Sequence, residues 1–302
     1  RAVVDTPEMA GMAETSERPV LAAAAGELAI GFSTGSFWRT RLIDCLEPIR
    51  KAGFGQIEVS SSPTHLDYHD PAACLAAAAR IRALGLEVHS FHAPFADRID
   101  ISALDARVRD AAVDEISRAA EAAATIGARF FVLHPGPETT GVPREQRLDR
   151  MDCAVEALDR IAWRAGELGV RLVLENMLPH LFAGHVRDLL WLLGALASSN
   201  VGICLDTGHA YLSGDLSHVA HKLSGHLWMV HASDNHGECD DHLAPGEGGI
   251  AWPELLHQLT AEHFSGAFVL ELAPEDDTAR LLRRARVSAD LLRRLHRERA
   301  AA

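Results

Sequence analysis

The sequence has few cysteines, few aromatic residues and no long apolar run. Five cysteines are spread over 302 residues without a CxxC pair, and an odd count argues against a disulfide framework. A reducing, cytoplasmic setting is therefore expected. No segment approaches the roughly 18 consecutive apolar residues of a membrane span, so no membrane association is predicted. Residues 1–27 lack the basic start and long apolar core of a signal peptide, and they are predicted to form a flexible extension.

Positive charge is also scarce. The chain has 42 acidic residues against 29 Lys and Arg, which gives a formal net charge of −13. A surface of this sign repels the phosphate backbone at long range, so nucleic acid is disfavoured as a partner. A homo-oligomer is compatible with the sequence, which carries no decisive interface signal.

Short β-branched or aromatic runs alternate with long amphipathic segments over residues 28–298. This alternation predicts the α/β class, as a single (β/α)8 TIM barrel. The predicted strands are Leu28–Ser33, Gln56–Ser60, Glu87–His92, Arg129–His134, Arg171–Glu175, Val201–Asp206, Leu227–His231 and Ala267–Glu271. The predicted helices are Arg39–Ala52, Pro71–Leu84, Asp105–Ile126, Arg144–Leu168, Val186–Ala197, Leu216–Leu223, Trp252–His263 and Thr278–Arg297.

Polar ligand-type side chains stand at the carboxyl ends of the third to eighth predicted strands. In such barrels the carboxyl ends and the loops after them form the active-site face. His, Asp and Glu make up about one residue in five, so a hit at all six ends would arise by chance in roughly two barrels per thousand. The candidates, with those of the adjoining loops, are His92, His134, Glu175, Asp206, His209, His231, Asp240, His242 and Glu271.

Imidazoles and carboxylates in one place indicate a divalent-metal site. Zn²⁺ and Mn²⁺ accept this ligand set best, with Mg²⁺ and Co²⁺ as alternatives. A bound cation would also offset the cost of carboxylates such as Glu175 and Glu271 next to apolar strands. Trp38, Glu58 and Phe95 lie at or near the same face, where they would line a substrate pocket or pack in the core.

The motifs at these positions resemble those of the xylose isomerase-like TIM barrel superfamily, which joins sugar phosphate isomerases and epimerases with endonuclease IV. The resemblance extends from Leu28 to about Glu275 and is carried by LHPG, LEN, VGICLDTGHAYLSGD (201–215) and VHASDNHGECDDHLAPGEGGIAW (230–252). Its epimerase-type members imply one divalent ion held by Glu175, Asp206, His231 and Glu271. They also imply that Glu175 and Glu271 exchange a carbon-bound proton of the substrate, while His209 orients a hydroxyl.

The endonuclease IV branch implies a different use of the same residues. There, nine ligands hold three zinc ions that activate water against a phosphodiester, and all nine positions are matched in this chain. The opening STGSFWRTR (33–41) is closer to isomerase-like members, and the DNA-binding loops are not matched.

Three hypotheses follow. The first is a metal-dependent isomerase or epimerase acting on a small carbohydrate, with one to three ions per chain. The second is a multinuclear zinc hydrolase that cleaves a phosphodiester. The third is a barrel that uses metal only for stability or sugar binding. The acidity of the chain and the isomerase-like opening favour the first, and the full ligand set favours the second.

Overall fold

Eight strands pair in sequence order and form a closed parallel barrel. The computed structural model describes residues 27–138 and 142–300. The strands are β1 (Ile30–Ser33), β2 (Gln56–Ser60), β3 (Glu87–His92), β4 (Phe130–Leu133), β5 (Arg171–Glu175), β6 (Val201–Asp206), β7 (Leu227–Ala232) and β8 (Ala267–Leu270). The pairing of β8 with β1 closes the sheet, so the predicted (β/α)8 TIM barrel is confirmed.

Helices surround the barrel. They are α1 (Leu42–Lys51), α2 (Pro71–Ala83), α3 (Ala106–Ile126), α4 (Arg147–Glu167), α5 (Val186–Ala195), α6 (Thr207–Leu212), α7 (Leu216–Leu223), α8 (Trp252–Ala261) and α9 (Thr278–Ala300). Short 3-10 turns occupy Thr34–Phe37, Arg144–Gln146 and Ser224–His226. Within the described ranges, none of the helices is both long and apolar enough to cross a bilayer.

The predicted element bounds need small corrections. Strand β1 starts at Ile30, and β4 and β8 each end one residue before the predicted end, so His134 and Glu271 begin the loops that follow. Helix α6 was not predicted, because six residues are too few to show a helical period. The Asp206 side chain caps this helix by accepting a hydrogen bond from the His209 backbone N–H at 2.6 Å. The predicted extension lies outside the described residues, apart from Glu27.

The barrel interior is filled by a layer of apolar side chains. This inner cluster consists of Phe130, Val132, Val173, Cys204, Met229 and Val269. A much larger apolar core fills the space between the outer face of the sheet and the helices. Because side chains alternate between the two faces of a strand, a residue two positions after an inner-cluster member also points into the barrel.

The long loop between β7 and α8 is held together by one buried aspartate. The Asp234 carboxylate accepts hydrogen bonds from the backbone N–H groups of Asn235, Gly246 and Ile250, and from the indole Nε1 of Trp252 at 2.8 Å. A short antiparallel bridge from Asp234 to Leu243 closes the loop. These bonds fix the segment between them, which includes Asp240 and His242.

Replacing Asp234 with Asn should therefore destabilise the protein. The amide places N–H groups against N–H donors and removes the charge that those donors solvate, so we expect a loss of about 3 kcal/mol in the free energy of unfolding. Chemical unfolding followed by circular dichroism measures this change. Asp241→Asn is the matched control, since among the described residues the Asp241 side chain accepts a hydrogen bond only from the Cys239 thiol, which is a weak donor. Equal unfolding midpoints for the two variants would contradict the role assigned to Asp234.

Candidate metal centre

Five of the nine predicted site residues point into the barrel because of strand alternation. On β5, Val173 belongs to the inner cluster and Glu175 follows two positions later. On β7, Met229 and His231 show the same relation. The same spacing links Val132 to His134, Cys204 to Asp206, and Val269 to Glu271. The polar layer at the carboxyl ends of the strands therefore lies directly on top of the apolar layer inside the barrel.

All nine predicted residues come together in three groups that are able to hold a metal ion. In each group the ligand atoms lie within 4.8 Å of one another. The groups are His92, His134 and Glu175; Glu175, Asp206, His231 and Glu271; and His209, Asp240 and His242. We call the second one the quartet. Glu175 belongs to two groups and thereby joins them.

Three of the five histidines have one ring nitrogen fixed by a main-chain carbonyl. Nδ1 lies 2.9 Å from Ala93 O in His92, 2.9 Å from Asn176 O in His209, and 3.2 Å from Glu271 O in His242. A carbonyl oxygen only accepts, so Nδ1 carries the proton in each ring. The other nitrogen, Nε2, lies next to a carboxylate oxygen of the same ligand group, and a metal ion bound between them would accept its lone pair, as in a metal-binding histidine.

The other two histidines are oriented by carboxylates. Nδ1 of His134 lies 2.9 Å from Glu138 Oε1, and its Nε2 lies 3.5 Å from Glu175. In His231 the arrangement is reversed, with Nε2 2.9 Å from Glu58 Oε2. Its Nδ1 lies 3.0 Å from Glu271 Oε2 and 3.4 Å from Glu175 Oε2. His231 thus faces the quartet through the opposite nitrogen.

Several ligand atoms are buried without a hydrogen-bond partner in the described structure. They include Oδ2 of Asp206, Oδ1 of Asp240 and Nδ1 of His231, whose 3.0 Å approach to Glu271 Oε2 does not have hydrogen-bond geometry. A buried polar atom left without a partner costs free energy, and native structures rarely keep several of them in one place. Divalent cations bound in the quartet and in the group of His209, Asp240 and His242 would satisfy these atoms, because each of them offers a lone pair. The residues present therefore fit a metal ion.

Without a metal, the charges in the layer compensate one another only partly. Burial opposes the charge on Glu175, but nearby His231, His134 and His92 hold the pKa of this carboxyl well below its usual range. Asp206 has no such excess of positive neighbours. Burial, reinforced by the charges of Glu175 and Glu271, raises the pKa of Asp206 to about 6. Asp206 thus lacks the positive charge that an ion in the quartet would provide.

Two adjoining cavities open onto these groups. The larger has a volume of about 540 Å³ and is lined by Trp38, Phe95, His92, His242 and Glu271, among others. The smaller, about 290 Å³, shares the last four of these and reaches Glu175 and Asp240. Glu271 lines both cavities, and its side chain is 21% exposed, whereas that of Glu175 is only 2% exposed.

The residues proposed for substrate contact separate into two kinds. Trp38 and Phe95 line the larger cavity with 40% and 52% of their surface exposed, and His209 lines the smaller one. Glu58 is completely buried and faces His231 instead of a cavity. Its place in the middle of β2, one layer below the strand end, prevents direct contact with a bound sugar.

Two supporting residues were missed by sequence reasoning. Asn176 clamps β5 to β6, because its side chain accepts from Asp206 N at 2.8 Å and donates to Asp206 O at 3.0 Å. Glu138 lies against His134 from the loop after β4. Both residues lie close in sequence to a predicted ligand, since Asn176 directly follows Glu175 and Glu138 stands four positions after His134. An Asn or a Glu at such a position does not specify a role by itself, so the sequence alone did not identify them.

Comparison with known proteins shows similarity to both sugar enzymes and endonucleases. A solved D-tagatose 3-epimerase-like protein has 27% identity, covers 88% of this chain and 98% of its own, and superposes with a TM-score of 0.76. The probable endonuclease 4 of Mycobacterium leprae is 31% identical over 66% of this chain and 79% of its own length. The uncharacterized protein MJ1311 of Methanocaldococcus jannaschii is 33% identical over 60% of this chain.

The match to MJ1311 spans 62% of that relative's length, and the match to a second uncharacterized protein of the same organism, MJ1614, also spans 62%. The model of one family covers nearly all of the barrel, and its description is xylose isomerase-like TIM barrel. Members of this family typically bind divalent metal ions. Because the match runs over residues 46–295 of the 302, the chain belongs to the xylose isomerase-like TIM barrel family.

Proposed function

We propose that the protein is a divalent-metal-dependent isomerase or epimerase that acts on a sugar or sugar phosphate. The observation that carries the proposal is the quartet. Four ligand atoms from Glu175, Asp206, His231 and Glu271 lie within 4.8 Å of one another at the edge of an open cavity. Two imidazole-compatible ions, Mn²⁺ and Zn²⁺, suit this donor set best.

The chemistry follows from the positions of two carboxylates. An ion held in the quartet would supply a Lewis acid for the polarisation of a substrate carbonyl. One of Glu175 and Glu271 takes the proton from the adjacent carbon, and the other returns a proton on the opposite face. His209 is held through Nδ1 by the Asn176 carbonyl, so its Nε2, which lies beside Asp240, would accept a hydrogen bond from a substrate hydroxyl. Trp38 and Phe95 present apolar surface to the sugar.

A second candidate function is hydrolysis of a phosphodiester. The observation that favours it is that two further groups flank the quartet, and that one of them shares Glu175 with it. The three groups contain four carboxylates. One divalent ion leaves them at a net charge of −2, which suits a neutral sugar, whereas three ions give +2, which suits an anionic phosphodiester. The number of bound ions therefore separates the two functions.

The first prediction of the proposed function concerns metal content. Elemental analysis of the purified protein should find one or two ions of Mn, Zn, Co or Mg per chain. Chelation should abolish activity, because without the ion the substrate carbonyl is not polarised and Glu175 and Glu271 are unable to move the adjacent proton. Reloading with the same ion should restore activity. Three tightly bound zinc ions per chain would contradict this prediction and favour the hydrolase over the isomerase.

The second prediction concerns proton transfer. A panel of ketoses incubated with the enzyme in deuterated water should gain deuterium at the carbon next to the carbonyl, as detected by NMR. Glu271→Gln should slow this exchange by about 10²–10⁴-fold, because the amide is unable to take up the proton. The matched control is Glu254→Gln, which alters an exposed glutamate in the first turn of α8. Turnover of bis(p-nitrophenyl) phosphate with no sugar exchange would instead support the second candidate.

The third prediction separates substrate orientation from catalysis. The Asp240 carboxylate lies 3.2 Å from His209 Nε2 and 3.0 Å from His242 Nε2. Asp240→Asn should raise KM for the sugar about tenfold, corresponding to roughly 1.4 kcal/mol of lost orientation, with a smaller change in kcat. Asp241→Asn should leave both constants unchanged. A fall in kcat beyond about 10³-fold for Asp240→Asn would assign a catalytic ion to this group and oppose the single-metal mechanism.

A further inference from the structure

Glu58 is a buried carboxylate that neither cavity reaches. It lies in the middle of β2, inside the barrel, with none of its surface exposed. Three groups from three other strands donate to it: Ser33 Oγ on β1 at 3.0 Å, Ser90 Oγ on β3 at 2.8 Å, and His231 Nε2 on β7 at 2.9 Å. Glu58 is also absent from the three ligand groups.

Stability alone gives a poor account of a carboxylate in this position. Removing a carboxylate from water is expensive, and a well-packed apolar side chain in place of a buried ion pair is often neutral or stabilising. Two serine hydroxyls would be satisfied equally well by a neutral acceptor such as an amide. The partner for which a negative charge matters is therefore His231.

His231 is the exception among the five histidines. Four of them face a carboxylate of the site with Nε2, but His231 faces the quartet with Nδ1. For Nδ1 to offer a lone pair, the ring proton must sit on Nε2, which points into the barrel core. There Glu58 Oε2, at 2.9 Å, is the acceptor. The side chain of His231 is fully buried, so no exchange with bulk water competes.

We propose that Glu58 is a positioning residue that acts through His231. It holds the imidazole in the Nε2–H form, so that Nδ1 binds the ion of the quartet, and its charge strengthens His231 as a metal donor. Carboxylate, histidine and metal then form a linear series, in which the outer partner sets both the orientation and the basicity of the ligand. The inference rests on the metal centre of the proposed function, and it is independent of the substrate.

Two substitutions separate the charge from the hydrogen bond. In Glu58→Gln, the amide oxygen still accepts from His231 while the Ser33 hydroxyl turns to accept from the new NH₂, so only the charge is lost. Glu58→Met removes the acceptor as well and keeps a similar volume. We expect the affinity of metal-free protein for Zn²⁺, measured by competition with a chromogenic chelator, to fall about 10-fold for the first variant and about 100-fold for the second.

The matched control is Glu87→Gln. Glu87 opens β3 at the other end of the barrel, where it accepts from Gln56 Nε2 at 3.3 Å, and its loss should leave zinc affinity unchanged. Thermal unfolding of each metal-free variant shows whether the barrel is intact. A purely structural role for Glu58 would lower the melting temperature without a specific loss of zinc affinity.

A double-mutant cycle tests the path through His231. In a His231→Gln background, Glu58→Gln should have no further effect on zinc affinity, because the ring that transmits its influence is absent. Additive losses in the cycle would overturn the proposal. So would equal zinc affinities of the wild type and Glu58→Gln. Failure of the wild type to bind any divalent ion would overturn the proposed function as well, so the two failures are distinguishable.

A measurement on the wild type covers the case in which the two Glu58 variants do not fold. Long-range ¹H–¹⁵N spectra of zinc-loaded protein, with His231 assigned by its absence in His231→Gln, should show the proton on Nε2 and zinc on Nδ1. A proton on Nδ1 would overturn the proposal whatever the variants do.

Discussion

The burial of carboxylates at the mouth of the barrel is the constraint on which the rest of the site depends. Glu175 is almost fully buried, yet it lies within 3.6 Å of ring nitrogens of His92, His134, His209 and His231. A charge in such surroundings persists only where positive groups or ions surround it. The histidines are therefore arranged around Glu175, and each of them is in turn fixed by a second partner. The result is a layer that favours divalent cations.

This layer explains the features that support it. The Asp206 side chain caps α6, which turns His209 back over the site, and Asn176 ties the strands on either side together. The Asp234 network gives the loop after β7 a fixed shape, which brings Asp240 between His209 and His242. Each support is itself a short buried polar contact, so a change in one is expected to disturb ligand geometry before it disturbs the barrel.

The sequence was sufficient to predict the barrel, and it named the nine residues whose ligand atoms the structure brings into three groups. Strand ends such as those at Glu175 and His231 are marked by an apolar run that stops at a ligand-type residue, and a closed parallel sheet brings such ends together. The sequence could not show whether a polar residue near a strand end lines the mouth of the barrel or is buried one layer below it. Glu58 looked like a mouth residue, because the register that buries it under His231 depends on how β2 sits against β1 and β3. The short α6 and the partner of His134 were missed for a related reason, since both arise from contacts specific to this fold.

The two candidate functions require a substrate at the same place in the site, but they require a different charge there. A molecule in the larger cavity meets Glu271 directly, but Glu175 lies beyond His92 in the smaller cavity. Proton transfer on both faces of one carbon requires the reacting atoms to lie where the cavities join, next to Phe95 and His242, which line both. A neutral ligand at that junction avoids repulsion from the four carboxylates of the three groups. A phosphodiester would need the same junction to be made positive by additional ions. The shape of the site thus allows both reactions, and the charge within it decides between them.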